Sequence, residues 1–152
     1  MLRDALIISL SRNFWDDVWR SRHQVMSRLA RTNAVIFGSR PLNFDEAWPR
    51  VSVRSALRTP GTHRIHDNLY AFVPSRFLPS IHRLPALEQS LQRRRRAELQ
   101  RVARRWRERP QVLYLWHPMF ESYIDAFPDS IVCYHLFDET RRCTIRTSGA
   151  TG

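Results

Sequence analysis

Four side chains with potential for chemistry follow apolar runs in this chain: Arg12, His117, Asp138 and Glu139. Histidine titrates near neutrality, so His117 could act as a general base or as a hydrogen-bond donor to a sugar or phosphate. Arg12 could pair with an anionic group, and the acidic pair could bind or activate a hydroxyl. The alternative for each residue is a solvated polar side chain at the end of a strand.

These residues can form one site only if the strands that precede them run in one direction. Four apolar runs predict buried strands: 5–10, 34–37, 111–116 and 130–135. Ligands of doubly wound parallel sheets bind outside the carboxyl ends of the strands. We therefore expect Arg12, His117 and Asp138 to gather along one edge of the sheet.

The segments between the strands predict helices. Apolar residues at steps of three and four predict helices over Asp16 to about Arg31, Pro85 to Arg109, and Phe120 to Phe127. His63 to Pro74 predicts a strand or a hairpin, and residues 39–62 are broken by prolines without a clear assignment. Strand, helix and strand in succession predict an α/β fold: a single Rossmann-like domain whose mainly parallel sheet is flanked by helices.

The last residues of the chain differ from the rest. Residues 140–152 show no periodicity, so we expect a domain over 1–139 followed by a disordered tail. The apolar run near the N-terminus is too short for a signal peptide or a membrane span. The two cysteines, Cys133 and Cys143, form no disulfide framework and no zinc set, which favours a reducing cytoplasm.

The charge is strongly positive. With 25 Lys and Arg residues against 14 acidic residues, the formal net charge is +11. All 25 are arginines, and this absence of lysine indicates the codon bias of a GC-rich bacterial genome. Such a surface attracts nucleic acid, anionic lipid or phosphorylated small molecules. The basic residues cluster in the run 93–96 and on to Arg109, which fits either a solvated helix face or a surface for an anionic membrane or nucleic acid. Nucleic acid has less support, because no nucleic-acid motif is found.

The sequence lacks the motifs that bind several classes of ligand. None of the four glycines precedes Gly38, so neither a dinucleotide fingerprint nor a P-loop follows the first strand, and we expect no cofactor. His63 and His66 would lie on opposite faces of a strand. We therefore expect no metal site.

Three segments resemble the N-terminal domain of GT-B glycosyltransferases, in particular the GT4-like retaining enzymes: DALIISLSRNFWDDVWRSRHQVMSRLA, PQVLYLWHPMF and DSIVCYHLFDE. They are similar to the first strand and helix of that domain, to its strand with a histidine-proline turn, and to its next strand with an acidic end. The resemblance spans residues 4–139. It implies one half of a GT-B fold.

The resemblance also implies site residues. The histidine that would face the donor sugar is His117, and the acceptor side would be lined by Arg12, Asn13 and Trp15. The acidic residues near the cleft would be Asp138 and Glu139.

In these enzymes the N-terminal domain receives a sugar or lipid-linked acceptor, and a C-terminal domain binds the nucleotide-sugar. The resemblance stops at Glu139, so we expect a chain truncated before the donor domain and inactive alone, which leaves open whether it is an enzyme. Peripheral contact with the anionic inner face of the membrane would suit the arginine-rich helix. The alternative is a basic α/β module that binds nucleic acid or an anionic membrane surface.

Overall fold

The computed structural model describes residues 3–43, 58–81 and 83–135. Asp138, Glu139, Cys143 and the 140–152 segment lie outside the described residues, as does most of the segment 39–62 that had no clear assignment. The strands are β1 (Leu6–Leu10), β2 (Ala34–Gly38), β3 (Gly61–His66), β4 (Leu69–Val73), β5 (Gln111–Leu115) and β6 (Ile131–Tyr134). The α-helices are α1 (Ser21–Leu29) and α2 (Pro85–Ala103), and 3-10 helices span Arg104–Trp106 and Pro118–Ala126.

The strands form one six-stranded sheet in the order β3-β4-β2-β1-β5-β6. All neighbouring pairs are parallel except the hairpin of β3 and β4, which is antiparallel. At the centre of the sheet, Ile8 of β1 lies opposite Ile36 of β2 and Leu113 of β5. The prediction of an α/β fold with a mainly parallel sheet is confirmed, and the arrangement is compatible with a Rossmann-like domain.

The strand order reverses between β1 and β5. From β1 the chain builds outward through β2 to β4 on one side, and it then returns to add β5 and β6 on the other side. Such a reversal is the topological switch point, where the loops after the two strands separate and leave a crevice. We call the edge where the parallel strands end the carboxyl edge, and the opposite edge the amino edge.

Both faces of the central strands are buried. Alternate residues of β1 point to two apolar clusters, with Ile8 packed on the side of α2 and the 118–126 helix, and Ile7 on the side of α1 with Met26. Fully burying one such side chain contributes about 1.5–3 kcal/mol. Continuous apolar runs are therefore the pattern that a strand covered on both faces requires.

Helix α1 begins five residues later than its sequence predicts. Asp16 and Asp17 were expected in its first turn, but their carboxylates bind the Arg58 side chain at 2.9 and 2.8 Å. Asp17 also accepts a hydrogen bond from the backbone N–H of Phe14 at 2.9 Å. The helix instead begins after Arg20, whose backbone N–H donates to Nδ1 of His23 at 3.0 Å.

Helix α2 begins at Pro85 as predicted, but it ends at Ala103, and 3-10 geometry continues only to Trp106, short of the predicted end at Arg109. The arginine run within it is divided. Arg95 is buried and binds Glu88, while Arg96 donates to the carbonyl of Ser122 at 2.7 Å. Arg93 and Arg94 are exposed. The run is therefore not a continuous solvated face.

Among the described residues, none of the helices combines the length and the apolar content that crossing a bilayer requires.

Candidate functional site

The carboxyl edge at the switch point brings together the loops after β1 and β5. The backbone N–H of Trp116 donates to the carbonyl of Leu10 at 3.1 Å, so the ends of these two strands are held side by side. Ser11 and Arg12 follow immediately on one strand, and His117 follows on the other. The expected convergence is confirmed for Arg12 and His117, whose Nη1 and Nε2 atoms are 3.5 Å apart although the residues are 105 positions apart in the chain.

Hydrogen bonding assigns the tautomer of His117. Its Nδ1 accepts the backbone N–H of Met119 at 3.1 Å, which also caps the 118–126 helix. A neutral imidazole has one accepting and one donating nitrogen, so Nε2 carries the proton. Guanidinium nitrogens only donate. Arg12 and His117 therefore present two donors to one another, and both can be satisfied by a shared acceptor such as an anionic oxygen.

Electrostatics favours the neutral form of His117. Partial burial lowers the pKa of its imidazole below the ordinary value, and the positive charge of Arg12 lowers the pKa further. Because the ordinary value is about 6.5, His117 is neutral at physiological pH. We refer to Arg12 and His117 as the donor pair.

A polar network lies next to the donor pair and fixes the loop after β1. Nη1 of Arg22, on the first turn of α1, donates to Oγ of Ser11 at 3.0 Å and to Oδ1 of Asn13. Ser11 also accepts the backbone N–H of Asn13 at 3.2 Å. Within the described residues, Nε of Arg22 and Oγ of the nearby strand-end residue Ser39 are buried without partners. The network orients Asn13, which stays a predicted acceptor-side residue.

Trp15 lies in the core rather than at the surface. Its ring contacts those of His23 and Phe37 with centroid distances of 4.9 and 5.0 Å, and Trp19 at 5.9 Å. Only 7% of Trp15 is exposed. Trp15 therefore anchors the loop that bears Arg12 and Asn13, and this placement leaves little of its ring for a ligand.

The end of β6 brings a second histidine to the carboxyl edge. Nδ1 of His135 lies 3.0 Å from the hydroxyl of Tyr114, and its ring centroid is 4.3 Å from that of Trp116. Burial raises the pKa of Tyr114, with a smaller contribution from Cys133, so the phenol stays protonated. Asp138 and Glu139, predicted to complete this end of the edge, lie outside the described residues.

Sequence reasoning missed two members of this edge. They are Arg22, which lies within the predicted helix, and His135, the last residue of the predicted strand 130–135. The strand-end rule that selected His117 also applies to His135, since both follow parallel strands. No comparable signal marks Arg22, because its partners are in a loop nine and eleven residues earlier.

Comparison with known proteins finds no family model that matches this chain and no curated protein that matches it. Function is therefore inferred from the geometry of the carboxyl edge together with the resemblance noted above.

Proposed function

We propose that this chain is the acceptor-side domain of a GT-B, GT4-like glycosyltransferase and that it binds an anionic oxygen of the acceptor at the donor pair. The observation on which this depends is the meeting of two hydrogen-bond donors, Arg12 and His117, at the topological switch point. The strand order supports the same proposal, because doubly wound folds bind their ligands at this position. A second domain would supply the nucleotide-sugar.

The tautomer of His117 defines its part in the transfer. During transfer the bond from the anomeric carbon to the nucleotide diphosphate breaks, a bond to an acceptor hydroxyl oxygen forms, and the hydroxyl proton passes to the departing diphosphate. Nδ1 of His117 is already engaged by the backbone of Met119, so the ring offers a proton rather than a lone pair at the edge. In this proposal His117 donates a hydrogen bond to the anionic oxygen of the acceptor, together with Arg12, rather than facing the donor sugar as the resemblance alone implies. The general-base alternative is not favoured.

The proposed site also limits the acceptor. Two donors on one oxygen suit a phosphate or carboxylate better than a neutral hydroxyl, because charge-assisted hydrogen bonds are about twice as strong as neutral ones. A sugar phosphate or a lipid-linked sugar phosphate meets this requirement. A lipid-linked acceptor would bring the chain to the inner face of the cytoplasmic membrane.

Titration with simple probes tests the site. We expect glucose 1-phosphate to shift the NMR signals of the His117 ring, and glucose to leave them unchanged. Arg12→Gln and His117→Gln should each weaken the binding of glucose 1-phosphate by about tenfold, as expected for one charge-assisted hydrogen bond. Arg31→Gln is the matched control, since Arg31 is exposed beyond the end of α1. Equal loss in all three variants would reject the donor pair as a binding site.

A turnover assay tests whether the chain binds the acceptor only and leaves the nucleotide-sugar to a second domain. The chain alone should neither transfer nor hydrolyse the sugar of UDP-glucose above background, and UDP-glucose should not displace glucose 1-phosphate at comparable concentration. Transfer by the isolated chain, or preferential binding of UDP-glucose, would contradict an acceptor-side assignment.

The alternative of a basic nucleic-acid or membrane-binding module receives less support from the described arginines. In the run 93–96, two guanidinium groups are bound to protein atoms, which leaves a smaller free surface than the sequence indicates. The alternative predicts binding that falls steeply with salt concentration and is lost when Arg93 and Arg94 are neutralised.

A further inference from the structure

A cavity of about 460 Å³ opens at the amino edge of the sheet, beside Gln111 at the start of β5. Its walls come from the end of α2, the turn that follows it, and residues 126–129. Six residue steps separate Gln111 from His117, which corresponds to roughly 20 Å along an extended strand. The cavity is therefore separate from the donor pair.

The charge of this cavity is positive. Among the described residues, the charged members of its lining are Arg104, Arg107, Arg109 and one carboxylate, Asp129. Arg109 also forms an ion pair of 3.2 Å with Asp4, whose carboxylate is largely exposed. A concave surface lined by one sign of charge concentrates its field, and here it favours an anion.

The helix end does not account for this charge. Basic residues near a helix C-terminus compensate a partial charge of roughly −0.5. Arg104 alone would exceed that charge, and Arg107 and Arg109 lie beyond the helix, next to β5. When Asp129, Asp4 and the helix end are all set against the three arginines, a positive excess of roughly half a charge remains for a ligand.

The rest of the lining is apolar. It consists of Ala103, Pro110, Ala126, Phe127 and Pro128. The volume lies within the range of about 300–1,000 Å³ that small-molecule sites occupy. A bare phosphate would fill little of it and would leave the apolar wall in contact with water. The lining is therefore matched to an anionic head attached to an organic ring.

We propose that the cavity is a second binding site, for a phosphate ester with a ring body, in which Arg104, Arg107 and Arg109 bind the phosphate and the ring packs on Phe127 and Pro128. Three positive charges on one concave wall are suited to this task, because a phosphate monoester carries up to two negative charges near neutral pH. The ester is a soluble small molecule or a lipid headgroup, since both offer the same phosphate chemistry.

The first arm of the test uses soluble probes. Adenosine 5′-monophosphate should bind about tenfold more tightly than adenosine or inorganic phosphate, because it fills both parts of the cavity. The double variant Arg104→Gln/Arg107→Gln should lose about tenfold or more of this affinity. Arg93→Gln/Arg94→Gln is the matched control: it removes the same charge from exposed positions on α2, and its affinity should stay within about twofold.

The second arm distinguishes the sources of the phosphate. Co-sedimentation with vesicles that contain phosphatidylinositol 4-phosphate, whose headgroup carries a phosphate on a ring, would assign the lipid headgroup if it is lost in the cavity variant but kept in the control. Equal losses in both double variants, for either probe, would overturn the proposal, since they would show attraction by net charge alone. Arg12→Gln should leave the affinity for adenosine 5′-monophosphate unchanged, so this test and that of the donor pair fail independently.

Discussion

The two edges of the sheet use arginine in opposite ways. At the carboxyl edge, Arg22 is bound to Ser11 and Asn13, and Arg95 holds the loop after β4 through the carbonyls of Leu78 and Pro79. At the amino edge the guanidinium groups of Arg104 and Arg107 are exposed around a cavity. The carboxyl edge is therefore defined by the fixed geometry of its guanidinium groups, and the amino edge by the positive charge that its arginines accumulate.

In this arginine-rich chain, the surroundings of each guanidinium decide whether the residue has a structural or a binding role. A guanidinium that is surrounded by protein acceptors is fixed in orientation and contributes to stability. An exposed one keeps its rotamer freedom and contributes mainly a field, unless it lies against a second donor as Arg12 does against His117. Substitutions at the carboxyl edge should thus affect folding or geometry, and those at the amino edge should affect attraction.

The largest effect is expected at Arg95. Its Nη1 and Nη2 both lie 2.9 Å from Oε1 of Glu88, and Arg95→Ala would leave that carboxylate and two loop carbonyls without their cation. Removing one partner of a buried pair costs about 3 kcal/mol or more. Urea unfolding should show this loss, whereas Arg94→Ala, an exposed neighbour, should change the unfolding free energy by less than about 0.5 kcal/mol. Similar losses in both variants would contradict the contrast within the run.

The Arg95 contacts also show where sequence reasoning stops. The direction of the strands and the meeting of Arg12 with His117 were predictable, because buried apolar runs indicate a parallel sheet and parallel strands end at one edge. The burial of Arg95 was not, since its partners include backbone carbonyls sixteen and seventeen residues away. Every residue type has a backbone carbonyl, so the sequence does not show which carbonyls will bind Arg95.

The prediction of where α1 begins was wrong for the same reason. Acidic residues ahead of an apolar repeat usually mark a helix N-terminus. Here Asp16 and Asp17 instead bind Arg58, forty-two and forty-one residues further along the chain. A local rule cannot anticipate a partner at that distance. The cavity at the amino edge was also not predicted, because two stretches that are separate in the chain, 100–111 and 126–129, form its wall.

A smaller effect, about tenfold, is expected from Arg12→Lys. The substitution keeps the charge but replaces the planar guanidinium with a compact ammonium group. The hydrogen bond from residue 12 to the shared oxygen therefore loses its fixed direction. The affinity for glucose 1-phosphate should fall about tenfold, or about 1.4 kcal/mol, as measured by calorimetry. Full retention of affinity would mean that charge rather than geometry defines the carboxyl edge as well.

The pH dependence of folding should come from the carboxyl edge. Burial lowers the pKa of His23 below its ordinary value, and the charge of Arg22 lowers it further. The unfolded chain then binds a proton more readily, so stability is constant above about pH 7.5 and falls as the pH drops below about 6.5. Each histidine contributes at most about 1.4 kcal/mol per pH unit, and His117, whose pKa is also lowered, adds to this slope. Urea unfolding at several pH values measures it, and His63→Gln, a control at an outer strand, should keep the slope that His23→Gln reduces.

The smallest effect is expected from Arg104→Lys at the amino edge. If accumulated charge defines the cavity, a lysine supplies the same charge, and the affinity for adenosine 5′-monophosphate should stay within about twofold. Arginine and lysine both remain charged between pH 6 and 8, so the retained affinity should hold across that range once the titration of the phosphate itself is subtracted. A tenfold loss would instead show that the guanidinium forks are oriented there too. The two edges would then differ in exposure but not in the way they recognise an anion.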